Sequence, residues 1–180
     1  MKYSNPEIES SYRAYDIGQT RYDVVLDQKP KKIIELGVLN GYSTIAMAMA
    51  LDRLGRGVIK SYDMWHKYPY RNTTMRGAEE NIRSHALEKY VELYSADCMA
   101  LEPEEFDLLH IDLSNTGKII RELVEKWAPF GGRIIFEGGS KARDAVEWMK
   151  KYRKEPINGC GVEYEVLNYQ FPSLSIVCKE

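Results

Sequence analysis

Lys31–Ala48, KKIIELGVLNGYSTIAMA, reads as strand, glycine turn and helix. The β-branched pair Ile33-Ile34 suits a buried strand, Gly37 and Gly41 permit positive φ and close approach of a ligand, and Ser43 is placed to cap the Ala/Met-rich helix that follows. A turn of this kind at the carboxyl edge of a parallel sheet is where open α/β proteins bind nucleotide-like ligands. The glycine spacing narrows the ligand. A dinucleotide turn wants G-x-G-x-x-G so that backbone amides meet a pyrophosphate, whereas here the pattern is Gly37-x-x-x-Gly41. Glu35 in the last turn of the strand would repel a pyrophosphate and can accept a hydrogen bond from an ammonium group. A cofactor with an amino-acid tail and no phosphate fits better.

Working outward, the chain alternates strand and helix. Upstream, Asn5-Pro6-Glu7 is a helix start with Ile8, Tyr12 and Tyr15 at helical spacing; Gly18 is expected to break this helix, and a second helical piece covers Gln19 to Asp27. Downstream, Gly57 to Asp63 reads as a second strand, Asn72 to His85 as a helix, Val91 to Asp97 as a third strand, and the nearly continuous apolar run Phe106 to Asp112 as a central fourth. Ile119, Ile120, Leu123, Val124 and Trp127 share a face of a helix beginning near Thr116. A fifth strand runs from Arg133 to Glu137. Ser140 caps one helix carrying Ala142, Ala145, Val146, Met149 and Tyr152, and two last strands, Val162 to Asn168 and Leu174 to Cys178, join through Phe171-Pro172-Ser173.

At 180 residues the chain suits one α/β domain, with residues 1–30 as a helical cap or lid and 31–180 as the core. A formal net charge of -2 gives no blanket attraction to nucleic acid, so a small acceptor is favoured over a polynucleotide. No apolar run approaches the length of a membrane span, and a cytoplasmic location is the default expectation. Three cysteines, Cys98, Cys160 and Cys178, are widely spaced and suit neither a disulfide framework nor a zinc cluster.

The segment E-x-G-x-x-x-G-Y-S-T, with the strands that follow to about Gly139, resembles class I S-adenosylmethionine-dependent methyltransferases, in particular the small-molecule O-methyltransferase branch that includes the caffeoyl-CoA type. The resemblance implies a Rossmann-like, mostly parallel seven-stranded sheet with helices on both faces, strand order 3-2-1-4-5-7-6, and an antiparallel last pair. It implies S-adenosyl-L-methionine as cofactor, its methionine moiety held by Glu35, Gly37, Val38, Gly41 and Ser43. Asp63 ends the second strand, where a carboxylate can accept bonds from ribose hydroxyls, and Met64-Trp65 offers surface for adenine. By carry-over, Asp97 reads the exocyclic amine and Cys98 supplies a backbone contact. A homodimer is admitted by analogy.

Asp112 closes the central strand beside the glycine turn and should face the sulfonium and the transferring methyl; it serves cofactor and reaction alike. Metal-dependent relatives have D-x-D-K after this strand and D-D or D-N after the next, but this chain has Asp112-Leu113-Ser114-Asn115 and then Glu137-Gly138-Gly139. The second acid and the lysine are missing, so no dedicated metal site is expected. Proton transfer is left to Glu137, to His110, which shares a strand face with Asp112, or to His66. Tyr12, Tyr15, Tyr68 and Tyr70 suggest a roomy aromatic acceptor pocket. The expected reaction is methyl transfer to oxygen or nitrogen of a small molecule. Lyase or aminopropyl chemistry on the same cofactor, a non-catalytic cofactor-binding protein, and a nicotinamide oxidoreductase are the alternatives.

Overall fold

The computed structural model describes residues 1–65 and 73–178. Strands β1 Lys32–Leu36, β2 Val58–Asp63, β3 Val91–Ser95, β4 Phe106–Ile111, β5 Gly131–Glu137, β6 Tyr164–Asn168 and β7 Leu174–Val177 form a sheet in the order β3-β2-β1-β4-β5-β7-β6. The first five pair in parallel, while β7 is antiparallel to both β5 and β6. The Rossmann-like arrangement and the strand order are those implied by the resemblance. Helices α1 Ile17–Gln28, α2 Tyr42–Leu54, α3 Met75–Ser84 and α4 Gly117–Trp127 cover the sheet, followed by the short α5 Lys141–Asp144 and α6 Glu147–Lys151.

The period-two geometry of the strands divides the core. Ile33, Ile59 and Leu108 join Val25 of α1 and Ile45 and Met49 of α2 on one side of the sheet. Ile34, Leu36, Leu109 and Ile111 meet Ile120, Leu123 and Trp127 of α4 on the other. Each such aliphatic side chain, buried on a strand, contributes roughly 1.5–3 kcal/mol. Strand order reverses at the β1/β4 boundary, and a ligand crevice belongs at that switch point, outside the carboxyl ends of the strands.

Three expected elements differ. No helix starts at Asn5: the chain runs irregularly to Tyr12, makes a 3-10 turn at Arg13–Tyr15, and enters α1 at Ile17. Pro6, Ile8 and Tyr12 are buried by tertiary packing instead. Gly18 lies inside α1 rather than breaking it, because a Cβ there would come within 2.5 Å of Tyr3 Oη and 3.0 Å of Tyr42 Oη. The helix capped by Ser140 is split at Ala145–Val146, where Val146 is extended; the Asp144 carboxylate accepts the Ile157 and Asn158 amides and ties off the first piece. Helix α3 starts at Met75 with Thr74 as its cap. Asn72, His66, Tyr68 and Tyr70 fall outside the described residues. Among the described residues no helix is long and apolar enough to cross a membrane.

Candidate active site

A cavity of about 750 Å³ opens over the carboxyl ends of the parallel strands. Its wall is built in strand order: Gly37 and Val38 follow β1, Asp63 and Met64 end β2, Asp97 and Cys98 follow β3, Asp112 follows β4, and Glu137 ends β5. The floor exists because Gly37, at φ +95, has no side chain; a Cβ would stand 2.0 Å from the carbonyl oxygen of Asp112. Glycine here lets the β1 and β4 exits close up beneath the ligand space.

The turn itself is shaped by Asp63. Its Oδ2 accepts the Val38 and Leu39 amides at 2.8 Å each, and its Oδ1 accepts the Trp65 amide at 2.9 Å. A carboxylate offers about four acceptor sites, so the protein's own backbone leaves Asp63 room for one further donor rather than two. Trp65 is buried, packs on Val38 and Ala78, and donates from Nε1 to the Leu39 carbonyl at 3.1 Å. It forms a wall braced from behind, not an open stacking platform. Cys98 donates its thiol to the Tyr62 carbonyl, and burial pushes that thiol's pKa up to about 12.

Beneath the cavity, the register sets Ser61 of β2, Glu35 of β1 and His110 of β4 side by side, on the face covered by α1 and α2. All three are fully buried. Glu35 accepts from Ser43 (2.7 Å), Thr44 (2.6 Å) and Ser61 (2.7 Å), and His110 Nδ1 stands 3.2 Å away. Arg21 of α1 donates from Nε to His110 Nε2 at 3.0 Å. Since a guanidinium only donates, His110 Nε2 holds a lone pair, and Nδ1–H faces Glu35. The arginine reaches on to Asp112 Oδ2 at 3.6 Å and lies over the Tyr12 ring at 4.2 Å. Tyr12 Oη donates to Asp112 Oδ1 at 2.5 Å. One polar chain thus runs from Glu35 inside the sheet to Asp112 at the cavity edge.

These contacts correct three expectations. Glu35 is sealed behind Ser43 and Thr44 and does not reach the cavity; burial works to raise its pKa, but hydrogen bonds from His110, Thr44 and Ser43 hold the carboxyl below its ordinary range. Ser43 does not cap α2: the cap is Gly41, in left-handed conformation, and the serine hydroxyl serves Glu35 while the residue still touches the cavity. His110 is enclosed between Glu35 and Arg21, with both ring nitrogens engaged, and cannot exchange protons with a substrate. Gly41 acts through the backbone of the turn and lies outside the cavity wall; Tyr15 is half exposed and also outside it.

At the other end, Glu137 is 4% exposed and paired with Arg143, which donates from Nε to Oε1 at 2.5 Å and from Nη2 to Oε2 at 3.2 Å. Burial lifts the Glu137 pKa to about 7; Arg143 opposes the rise and the charge of Asp112 adds to it. Asn115, buried, donates to the Ile111 and Glu137 carbonyls and pins the two strand exits together. Arg143, Trp148 and Arg21 were not singled out by sequence reasoning. Arg21 carried no local signal, since its partners lie 89 and 91 residues away. The first turn after the Ser140 cap was the one hint of Arg143. Among the described residues no group of three or more His, Cys, Asp or Glu side chains is arranged to hold a metal ion.

A family model described as a methyltransferase domain matches residues 34–133, more than half of the chain. Comparison with curated protein sequences gave no match. Among solved structures, the SAH-bound methyltransferase PaMTH1 of Podospora anserina superposes with a TM-score of 0.64 at 17% identity, over 96% of this chain and 80% of that one. The O-methyltransferase of Bacillus cereus in complex with SAH gives 0.63 at 18%, over 97% and 84%. TomG, an O-methyltransferase of Streptomyces achromogenes in complex with SAM, gives 0.59 at 12%, over 92% and 84%. At these identities the likeness is one of fold.

Proposed function

We propose, since this chain belongs to the methyltransferase-domain family, that it transfers a methyl group from S-adenosylmethionine to an oxygen or nitrogen of a small-molecule acceptor, without a dedicated metal ion. The observation that carries this reading is a single cavity lined from Asp97 and Asp63 at one end, past Gly37 and Asp112, to Glu137 at the other, with room for cofactor and acceptor together. The SAH- and SAM-bound neighbours of the same fold support the choice of cofactor.

S-adenosylmethionine supplies an electrophilic methyl on a sulfonium. Around it, the one open acceptor site of Asp63 takes a ribose hydroxyl, Met64 and the edge of Trp65 border the adenine, and Asp97 and the Cys98 backbone meet its polar rim. Asp112 holds the amino-acid end against the reacting centre, and Glu137 takes the proton from the acceptor as the new bond forms. Both carboxylates already face guanidinium groups, Arg21 and Arg143, which offset the charge a divalent ion would require. Of residues 1–30 only Glu9, Ser10, Ser11 and Tyr12 cover the cavity, while α1 packs with α2 as part of the core rather than as a lid, and the three free thiols fit the reducing cytoplasm.

Calorimetry with S-adenosylmethionine tests the reading, with about a tenfold or greater loss of affinity expected for Asp63→Ala, as the turn relaxes and the ribose contact goes. Product analysis separates it from other chemistry on the same cofactor: S-adenosylhomocysteine accumulates only when methyl leaves. No binding at high micromolar cofactor, with Asp63→Ala indistinguishable from the parent, would remove the proposal.

A further inference from the structure

Three fully buried ionisable groups beneath the cavity, Glu35, His110 and Arg21, form no part of its wall and take no part in the chemistry proposed above. They are bonded in series. Glu35 is fixed by Ser43, Thr44 and Ser61 and receives His110 Nδ1–H, which leaves the Nε2 lone pair for Arg21 Nε–H at 3.0 Å. The Ile17 carbonyl accepts from Arg21 Nη1 at 3.4 Å, and the Tyr12 ring lies 4.2 Å from the guanidinium carbon. With Nε, Nη1 and one face engaged, the planar fork is held in one orientation, and its remaining corner, Nη2, stands 3.6 Å from Asp112 Oδ2.

Nη2 is buried and has no hydrogen-bond partner. Sealing a cation in the core with a donor unmet is costly, and an apolar side chain would fill the same space without that cost. The arrangement makes sense through Asp112, which does line the cavity. Tyr12 Oη donates to Asp112 Oδ1, while Arg21 attracts Oδ2 from a distance too long for a hydrogen bond, so the carboxylate is steered from both sides without Arg21 occupying an Oδ2 lone pair. Resting on the methyl-transfer reading above, we propose that Arg21 is a positioning residue: locked by His110 and Glu35, it aims the Asp112 carboxylate at the α-ammonium of the cofactor's amino-acid end. The ammonium is chosen by charge, since a carboxylate attracts the cationic end of a zwitterion and repels the anionic one. If Arg21 were only a counter-ion, its removal would strengthen the pull of Asp112 on the ammonium. Loss of an orienting contact does the opposite, so the sign of the effect separates the two roles.

The test compares S-adenosylhomocysteine with its desamino analogue, in which hydrogen replaces the α-ammonium, by calorimetry on the full chain. The unaltered protein should bind S-adenosylhomocysteine about tenfold or more tightly than the analogue, as for a charge-assisted hydrogen bond. Arg21→Met keeps an apolar stem and removes the fork; it should lose most of that preference by weakening S-adenosylhomocysteine alone, the analogue binding as before. His110→Phe leaves the guanidinium but takes away its Nε acceptor, and should move the preference the same way by a smaller factor. The proposal is overturned by a preference that either variant leaves unchanged or increases, or by an equal loss of both ligands, which is what a residue serving only the fold would give. Equal binding of the two compounds to the unaltered protein, a comparison that needs no variant to fold, overturns it as well. In all these cases S-adenosylhomocysteine still binds the unaltered protein and the methyl-transfer reading stands; failure of both compounds to bind it sinks that reading, and the proposal with it.

Discussion

Glu35 and Glu137 are both buried carboxylates, and their partners push them in opposite directions. Glu35 is ringed by three hydroxyls and an imidazole N–H, and its folded pKa lies below its unfolded one. Its ionisation therefore stabilises the fold at neutral pH, and that contribution is lost as pH falls through the folded value. Glu35→Gln should lose about 3 kcal/mol in urea unfolding, because the neutral amide gives up the charge-assisted bonds from His110 and Ser43 at one oxygen, and its NH₂ faces the Thr44 and Ser61 hydroxyls, which must turn from donors into acceptors. The same variant should flatten the acid side of the stability curve. Glu137, lifted to about 7, binds its proton more tightly folded than unfolded, so its ionisation costs stability as pH climbs from the ordinary carboxylate range to about 7. In the proposed role of proton acceptor the working form is the ionised one. Initial rates of methyl transfer should rise with pH through a midpoint near that value, and Glu137→Gln should lose roughly 10²–10⁴-fold in rate together with the rise. A variant with the same midpoint as the parent would show that another group takes the proton.

The β1–α2 turn is the element on which the proposed cofactor binding depends, and it is stiff for two separate reasons. Gly37 has no Cβ to strike the Asp112 carbonyl, and Asp63 clamps the two amides that follow. Gly37→Ala combines a strained φ with an overlap against backbone, so it should cost on the order of 2 kcal/mol or more in thermal or urea unfolding and abolish cofactor binding. Elements of this kind were legible in the sequence, because hydrophobic period, glycine spacing and strand-end acids are local; the strand order itself came with the resemblance. What was not legible depended on distant partners. Glu35 looked available because its neighbours in the chain do not reveal that Ser61 and His110 flank it in the sheet. Ser43 looked like a cap because the helical register does not show that its hydroxyl is drawn away to Glu35. The helical spacing of Ile8 and Tyr12 was outweighed by the burial each gains outside a helix, Ile8 in the α1/α2 core and Tyr12 over Arg21.

Across the whole molecule, the chain's first residues are tied over the cavity by contacts spread through the fold. Tyr12 reaches Asp112, the Asn40 amide donates to the Glu9 carbonyl, and the Tyr42 hydroxyl donates to Asn5. Glu9, Ser10 and Ser11 form part of the cavity rim. The Tyr12 hydroxyl is the contact that links this segment to the reacting end, and burial, reinforced by the charge of Asp112, keeps it protonated and donating throughout the neutral range. On the proposed function, a cofactor entering past this segment would have its exchange, more than the chemical step, set by the latch. Tyr12→Phe keeps the ring on Arg21 and removes only the donor. Release of S-adenosylhomocysteine should accelerate several-fold in stopped-flow displacement, with KM for the cofactor raised. Amide exchange over residues 5–16 should rise in the variant and fall again when ligand binds. A variant that raises neither release nor exchange would make Tyr12 a packing residue, and would locate control of entry elsewhere on the rim.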